Sequence, residues 1–201
     1  MALAFCAGCG SVLPEKARFC PFCGLHSVAG LEKDESSEKL FFLLSGIVVG
    51  VPVALFFESV FHLWFTTLGL VTVVAPLVEE FAKADPLFYR RERSGKSLMT
   101  LGALSGLGFG VAEFFAYVYK GVPVLFRLPA VAFHAAGTSI VAYGVYRRET
   151  LKYYLLAVVL HVVNNFFAGL GSLWLFGGLG ATLASYYFAW TFYKRVQKNA
   201  P

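Results

Sequence analysis

The sequence predicts an all-α polytopic membrane protein of about six transmembrane helices, with a small N-terminal module built on four cysteines. Three observations predict it. The 201 residues are 58% hydrophobic and only 14% charged, with a mean hydropathy of +0.67, whereas soluble domains are about 25% charged. From residue 40 onward, apolar stretches recur near the ~20 residues needed to cross ~30 Å of hydrocarbon. All four cysteines lie within the first 23 residues.

The N-terminal module comes first, over residues 1–30. Cys6-x2-Cys9 and Cys20-x2-Cys23 are each followed by glycine, Gly10 and Gly24. A two-residue spacing lets both thiolates of a tight turn reach one ion, and two such knuckles complete a tetrahedral four-thiolate shell. The pattern reads as a zinc ribbon holding a structural Zn2+. So few apolar residues make no core, so the ion would supply the folding energy. His26, just beyond the second knuckle, reads as a surface residue. Disulfides are the weaker reading if this end lies in a reducing cytosol.

Residues 31–39 are a charged linker, and residues 1–39 hold no long apolar stretch, so the first apolar helix is expected to act as the membrane signal. Six spans follow, at about 40–58, 61–84, 98–119, 128–146, 151–169 and 171–193, within a transmembrane domain of residues 40–193. Residues 194–201 form a tail. The shortest turns surround Glu58–His62 and Gly169–Ser172, where a re-entrant hairpin is conceivable. Frequent glycine suits close helix packing in lipid. Trp64, Tyr89, Tyr117, Tyr146, Tyr153 and Trp190 fall near span ends, where interfacial aromatic belts lie.

Loop charges orient the chain. Lys16, Arg18, Lys33 and Lys39 precede the first span. Arg90, Arg91, Arg93 and Lys96 follow the second, Arg147, Arg148 and Lys152 the fourth, and Lys194, Arg195 and Lys198 the last. An even number of spans puts all of these on one side, leaving Lys120 and Arg127 on the other. The positive-inside rule makes the crowded side the cytoplasm, with both termini there, in the cell membrane of a prokaryote. The net charge of +5 thus belongs to membrane orientation and is no nucleic-acid footprint.

Polar clusters interrupt the apolar spans: Glu79-Glu80-x-x-Lys83, Glu113, His134, and His161-x-x-x-Asn165. A charged residue at the centre of a bilayer helix costs ~3 kcal/mol on insertion scales, so spanning alone does not account for them. Lys83 can reach either glutamate at three- or four-residue spacing. Adjacent glutamates point ~100° apart, so one is expected to pair with Lys83 and the other to face a cavity. Pro76 is placed to kink that helix and free a backbone carbonyl. A helix end snorkelling to the interface is the bland alternative. Gly102-x3-Gly106-x3-Gly110 forms a stripe for close helix approach, and Glu113 continues that face into the bundle. Glu113 alone also reads as a protonated structural carboxyl, and His134 alone as an interhelical donor. His161 and Asn165 stack on adjacent turns and can donate together toward a developing oxyanion. Glu58 and His62 flank an outer turn and read as interfacial.

Taken together and in this order, the motifs resemble the PrsW-like intramembrane proteases, of a wider superfamily with the CAAX prenyl-protein proteases and bacteriocin-processing enzymes. The resemblance covers about residues 40–193. It rests on Glu79-Glu80-x-x-Lys83, Gly108-Phe-Gly-x-x-Glu113, His134 with Gly137, and His161-x-x-x-Asn165. It implies Glu79 as the base that activates a water, His134 as its partner, and His161 with Asn165 as the oxyanion site. Lys83 stands where the CAAX branch often has arginine, which favours the PrsW branch. Phe114 follows Glu113 where the family often has asparagine. The zinc ribbon lies outside the resemblance.

The expectation is an intramembrane endopeptidase that cuts a membrane-anchored protein or peptide through a glutamate-activated water, with Glu79, Glu80, Glu113, His134, His161 and Asn165 in or near the site. The zinc ribbon would dock a protein partner. A catalytic metal held by His134, His161 and a glutamate ranks second, because no His-Glu-x-x-His motif is present. Two readings from other classes stand beside it: a non-catalytic membrane adaptor, and a proton-coupled transporter relaying through Glu79, Glu113 and the histidines.

Overall fold

A computed structural model describes residues 6, 9–13, 20–24, 35–90 and 94–198. The expectations at Lys16, Arg18, His26, Lys33, Arg91 and Arg93 lie outside the described residues. The chain divides into two compact units, residues 1–40 and 41–201.

Among the described residues, every regular element of the larger unit is a helix, and the first of them begins within the smaller unit. The elements are α1 (Glu35–Ser45), a π-helical turn (Gly46–Gly50), α2 (Val51–Phe61), a short α3 (Thr67–Gly69), a second π-helical turn (Leu70–Val74) and α4 (Ala75–Ala84). A 3-10 run (Asp85–Arg90), α5 (Gly95–Tyr119), α6 (Val124–Arg147), α7 (Thr150–Ala168), a 3-10 turn (Gly171–Leu173) and α8 (Trp174–Lys198) complete it.

Among the described residues, four helical stretches are long and apolar enough to cross a membrane: Ser36–Phe61, Gly95–Tyr119, Val124–Arg147 and Thr150–Ala168. The expectation of about six spans is corrected in two places. The run expected over 61–84 starts only at Thr67, after a turn at His62–Phe65, and holds Glu79, Glu80 and Lys83 within its last two turns. That charge density disqualifies it as an apolar span. The run expected over 171–193 becomes α8, diluted by Gly, Thr, Ser and Tyr and ending in Lys194, Arg195 and Lys198. Both are helices of the bundle without the uniform apolarity of a lipid-facing rod.

The glycine stripe explains the tightest packing. A Cβ at Gly106 would overlap the carbonyl of His134, one at Gly102 would meet Ala142, and one at Gly110 would meet Val131. α5 therefore lies against the backbone of α6, as small-residue interfaces permit. The apolar core gathers Leu98 and Met99 of α5, Ile140 and Tyr143 of α6, Tyr153 of α7 and Phe192 of α8. Tyr143 stacks on Phe192 with ring centroids 4.5 Å apart. These residues come from the start of α5, the end of α6, the start of α7 and the end of α8. The core thus fills the half of the bundle nearest the cationic loops. Outer faces carry Leu55, Phe56, Trp64, Phe115, Leu151 and Leu183 in the open; lipid is the solvent that suits such a surface.

Candidate functional site

The other half of the bundle holds a cavity of about 700 Å³. Its polar lining is Glu58, Thr72, Glu79, Glu113, Tyr117, Arg127, His134, His161, Asn164 and Asn165, among apolar residues such as Leu68, Val71 and Phe126.

The approach to α4 sets the geometry. Within the π-helical turn the N–H of Ala75 reaches back to the carbonyl of Leu70. Pro76, next in line, has no N–H to give. The Val71 carbonyl instead accepts from Asn165 Nδ2 at 3.0 Å. The end of α7 is therefore tied to the mouth of α4 through a carbonyl that proline leaves free. One amide N–H of Asn165 remains for a ligand.

Glu79 and Glu80 part company as helical geometry requires. Glu80 is fully buried and points away from the cavity. Its Oε1 accepts from Lys83 Nζ at 2.6 Å and from His161 Nδ1 at 2.8 Å. Lys83, also 0% exposed, places Nζ 2.9 Å from His134 Nδ1. Ser105 of α5 donates to the Lys83 carbonyl at 2.8 Å. One ion pair thus holds both imidazole rings by their Nδ1 atoms.

Glu79 lines the cavity. Its Oε2 is buried, has no hydrogen-bond partner and lies 3.7 Å from His161 Nε2. On the far wall His134 Nε2 lies 2.7 Å from Glu113 Oε2. The same oxygen accepts from Arg127 Nη2 at 2.8 Å. The Arg127 guanidinium lies over the Tyr117 ring, 3.8 Å from its centroid. A continuous polar chain runs from Arg127 through Glu113, His134, Lys83, Glu80 and His161 to Glu79.

The structure brings Glu79, Glu80, Glu113, His134 and His161 into that one chain, with Asn165 on the same cavity wall. The 3-10 run Asp85–Arg90 follows α4 directly, so Glu79 and Glu80 do not stand at a free helix end. Two cavity residues escape sequence reasoning. Arg127 reads as a loop charge, yet it sits two turns before His134 and so shares its face. Glu58 reads as interfacial, yet it lines the cavity and its carboxyl approaches that of Glu79.

One carboxylate oxygen and two imidazole nitrogens, from Glu79, His134 and His161, lie within 4.8 Å of one another. The donor set suits a divalent ion with an open position. His161 is prepared for it: a carboxylate on Nδ1 fixes the tautomer that leaves Nε2 free. The unpartnered Glu79 Oε2 is a second ready donor. His134 is different, since both its ring nitrogens are engaged; to ligate as a neutral imidazole through Nε2 it would have to leave Glu113 and carry its proton on Nδ1, with Lys83 turning away from that nitrogen.

The N-terminal unit holds the other cluster. The Sγ atoms of Cys6, Cys9, Cys20 and Cys23 lie within 4.8 Å of one another, and no disulfide joins them. Cys6 and Cys23 are 3.5 Å apart, as are Cys9 and Cys20. Four sulfurs each ~2.3 Å from a tetrahedral zinc would stand about 3.8 Å apart, so the set fits such an ion. Each knuckle closes in the same way: the N–H of Gly10 bonds the Cys6 carbonyl and that of Gly24 bonds the Cys20 carbonyl, both at 2.9 Å. Gly10 (φ 71°) and Gly24 (φ 70°) adopt the left-handed backbone, which explains glycine there. The nearby Ser11 side chain lowers the Cys9 thiol to about 6, toward the thiolate that a metal needs.

Neither a curated protein nor a solved structure matches the chain. A family model does, over residues 38–193, which takes in every helix of the cavity. Its description is PrsW family intramembrane metalloprotease, and the chain belongs to that family.

Proposed function

We propose that the protein hydrolyses a peptide bond of a membrane-anchored protein or peptide on the wall of the 700 Å³ cavity, and that Glu79, His134 and His161 hold a divalent metal ion of the zinc class there. The convergence of those three side chains beside a cavity carries the reading, and the family description supports it. This reverses the order expected from sequence, where a metal-free site came first.

When bound, the ion supplies Lewis acidity and an acidified water. The chain's own residues do the rest. Glu113 Oε2 is occupied by His134 and Arg127, so its other oxygen is the place for a water proton. As the water oxygen adds to the scissile carbonyl carbon, that proton passes to Glu113 and then to the departing amide nitrogen. Asn164 and the remaining N–H of Asn165 face the cavity as donors for the carbonyl oxygen. Glu80 and Lys83 keep both rings in register.

A metal-free reading keeps one observation in its favour. Lys83 donating to His134 Nδ1 leaves the ring proton on Nε2, aimed at Glu113. In that reading Glu79 is the base, His134 its partner, and His161 with Asn165 the oxyanion donors.

Metal content separates the two. Purified full-length protein is expected to carry two ions per chain by elemental analysis, one in each cluster. His161→Ala should remove one of them, and the pair Cys9→Ser/Cys20→Ser the other. A wild-type protein that carries only one ion per chain, lost in Cys9→Ser/Cys20→Ser and unchanged in His161→Ala, would establish the metal-free reading.

The four-cysteine unit is proposed as a zinc ribbon that docks a partner or regulates the peptidase. Its thiols are expected to resist a disulfide-exchange reagent until a chelator is added, after which all four react. Equal reactivity without chelator would remove the structural ion.

By the positive-inside rule, the core half of the bundle, with Arg90, Lys96, Arg147, Arg148 and Arg195, faces the cytoplasm. The cavity, near Lys120 and Gly171, then opens in the outer half of the membrane, and cleavage occurs there.

A further inference from the structure

We propose that Glu58 forms a specificity subsite that takes a lysine or arginine side chain of the substrate. The inference rests on the peptidase reading above and names the class of segment that the cavity accepts.

The cavity lining is unbalanced in charge. Glu58, Glu79 and Glu113 line it against a single permanent cation, Arg127. Lys83 does not line it and is consumed by Glu80. Arg127 is committed to Glu113. Glu79 is more than nine-tenths buried, and its Oε2 has no hydrogen-bond partner. Glu58 has no cation within ion-pair distance among the described residues; Lys120 acts on it only at longer range. The proposed divalent ion would answer Glu79, and Arg127 answers Glu113, which leaves Glu58, whose carboxyl meets that of Glu79, as the cavity carboxylate with a cation still to find.

The shape beside Glu58 suits that charge. A second hollow, lined by Leu55, Glu58, Ser59, His62 and Leu70, adjoins the cavity, with Glu58 common to both. Leu55 and Leu70 offer apolar wall for a methylene stem, and the Glu58 carboxylate is the acceptor for its head. Lysine and arginine have that form, an apolar stem and a cationic tip. The turn His62–Phe65 between α2 and α3 borders the hollow, so a substrate helix lying against α2 would present a basic side chain directly to it.

The test uses full-length protein in detergent and apolar membrane-spanning peptides that carry one Lys at successive positions, each paired with a Gln peptide. At one position near the cleaved bond, the Lys peptide is expected to be favoured at least about tenfold in kcat/KM, as a charge-assisted hydrogen bond would give. Glu58→Gln should bring that ratio to within about twofold of unity by removing the charge. Glu58→Asp should keep a preference. No preference in the wild type, or an unchanged ratio in Glu58→Gln, overturns the subsite.

Binding of the same peptide pairs to Glu79→Gln protein gives a readout independent of cleavage. A Lys preference there that disappears in Glu58→Gln/Glu79→Gln upholds the subsite even if no peptide is cut, in which case the peptidase reading alone fails. Equal binding of both peptides by Glu79→Gln overturns the subsite.

Discussion

Glu79→Gln is expected to reduce cleavage of a membrane-anchored substrate by about 10³-fold or more while the protein still inserts and folds. The size follows from what the position supplies in either reading. As a metal ligand or as the base, its carboxylate acts on the reacting water, and an amide can neither ligate as an anion nor accept the proton. The selectivity of the test follows from what Glu79 lacks. Its Oε2 makes no hydrogen bond, so the amide breaks none there. Relieving the proximity of Glu58, Glu80 and Glu113 should leave the melting temperature unchanged or raise it, as replacing strained site residues often does. An adaptor held together by polar contacts predicts the opposite pattern, with no dependence on Glu79 and a fall in stability wherever a hydrogen bond is lost. Cleavage at the wild-type rate by Glu79→Gln would remove the peptidase function from this site.

The all-helical membrane architecture and the clustering of Cys6, Cys9, Cys20 and Cys23 were legible because apolar runs and two-residue cysteine spacings are local signals. The stripe from Gly102 to Gly110 was legible because residues four apart share a helix face. The number of apolar spans was not, because charge and hydropathy averaged over a window do not show which residues face protein. Glu79, Glu80 and Lys83 lower the hydropathy of α4, yet their partners come from α6 and α7. Arg127 and Glu58 were misplaced for the same reason. A charge near a span end looks interfacial until the neighbouring helix is known, and only packing brings Arg127 onto Glu113 and Glu58 toward Glu79. The link between Asn165 and Val71 is less accessible still, since it depends on a π-helical turn placing Pro76 opposite a free carbonyl.

The largest expected effect on stability lies at Lys83. Lys83→Met should destabilise the folded protein by about 3–5 kcal/mol, read from reversible unfolding in mixed micelles, because it leaves the fully buried Glu80 carboxylate without its cation. An interhelical hydrogen bond in a membrane averages only about 0.6 kcal/mol, so a loss of that larger size would come from the stranded charge. The double variant Glu80→Gln/Lys83→Met removes both charges and should recover most of the loss, since a buried pair replaced as a unit costs little. Strictly additive losses would mean that Lys83 and Glu80 contribute independently and that the 2.6 Å pair is not the organising contact. Activity is expected to part from stability in the double variant. His134 Nδ1 loses its donor and His161 Nδ1 loses its carboxylate, so neither ring is held in one tautomer even where the fold is restored. A double variant that regains stability but not cleavage would identify Lys83 and Glu80 as the residues that orient both imidazoles.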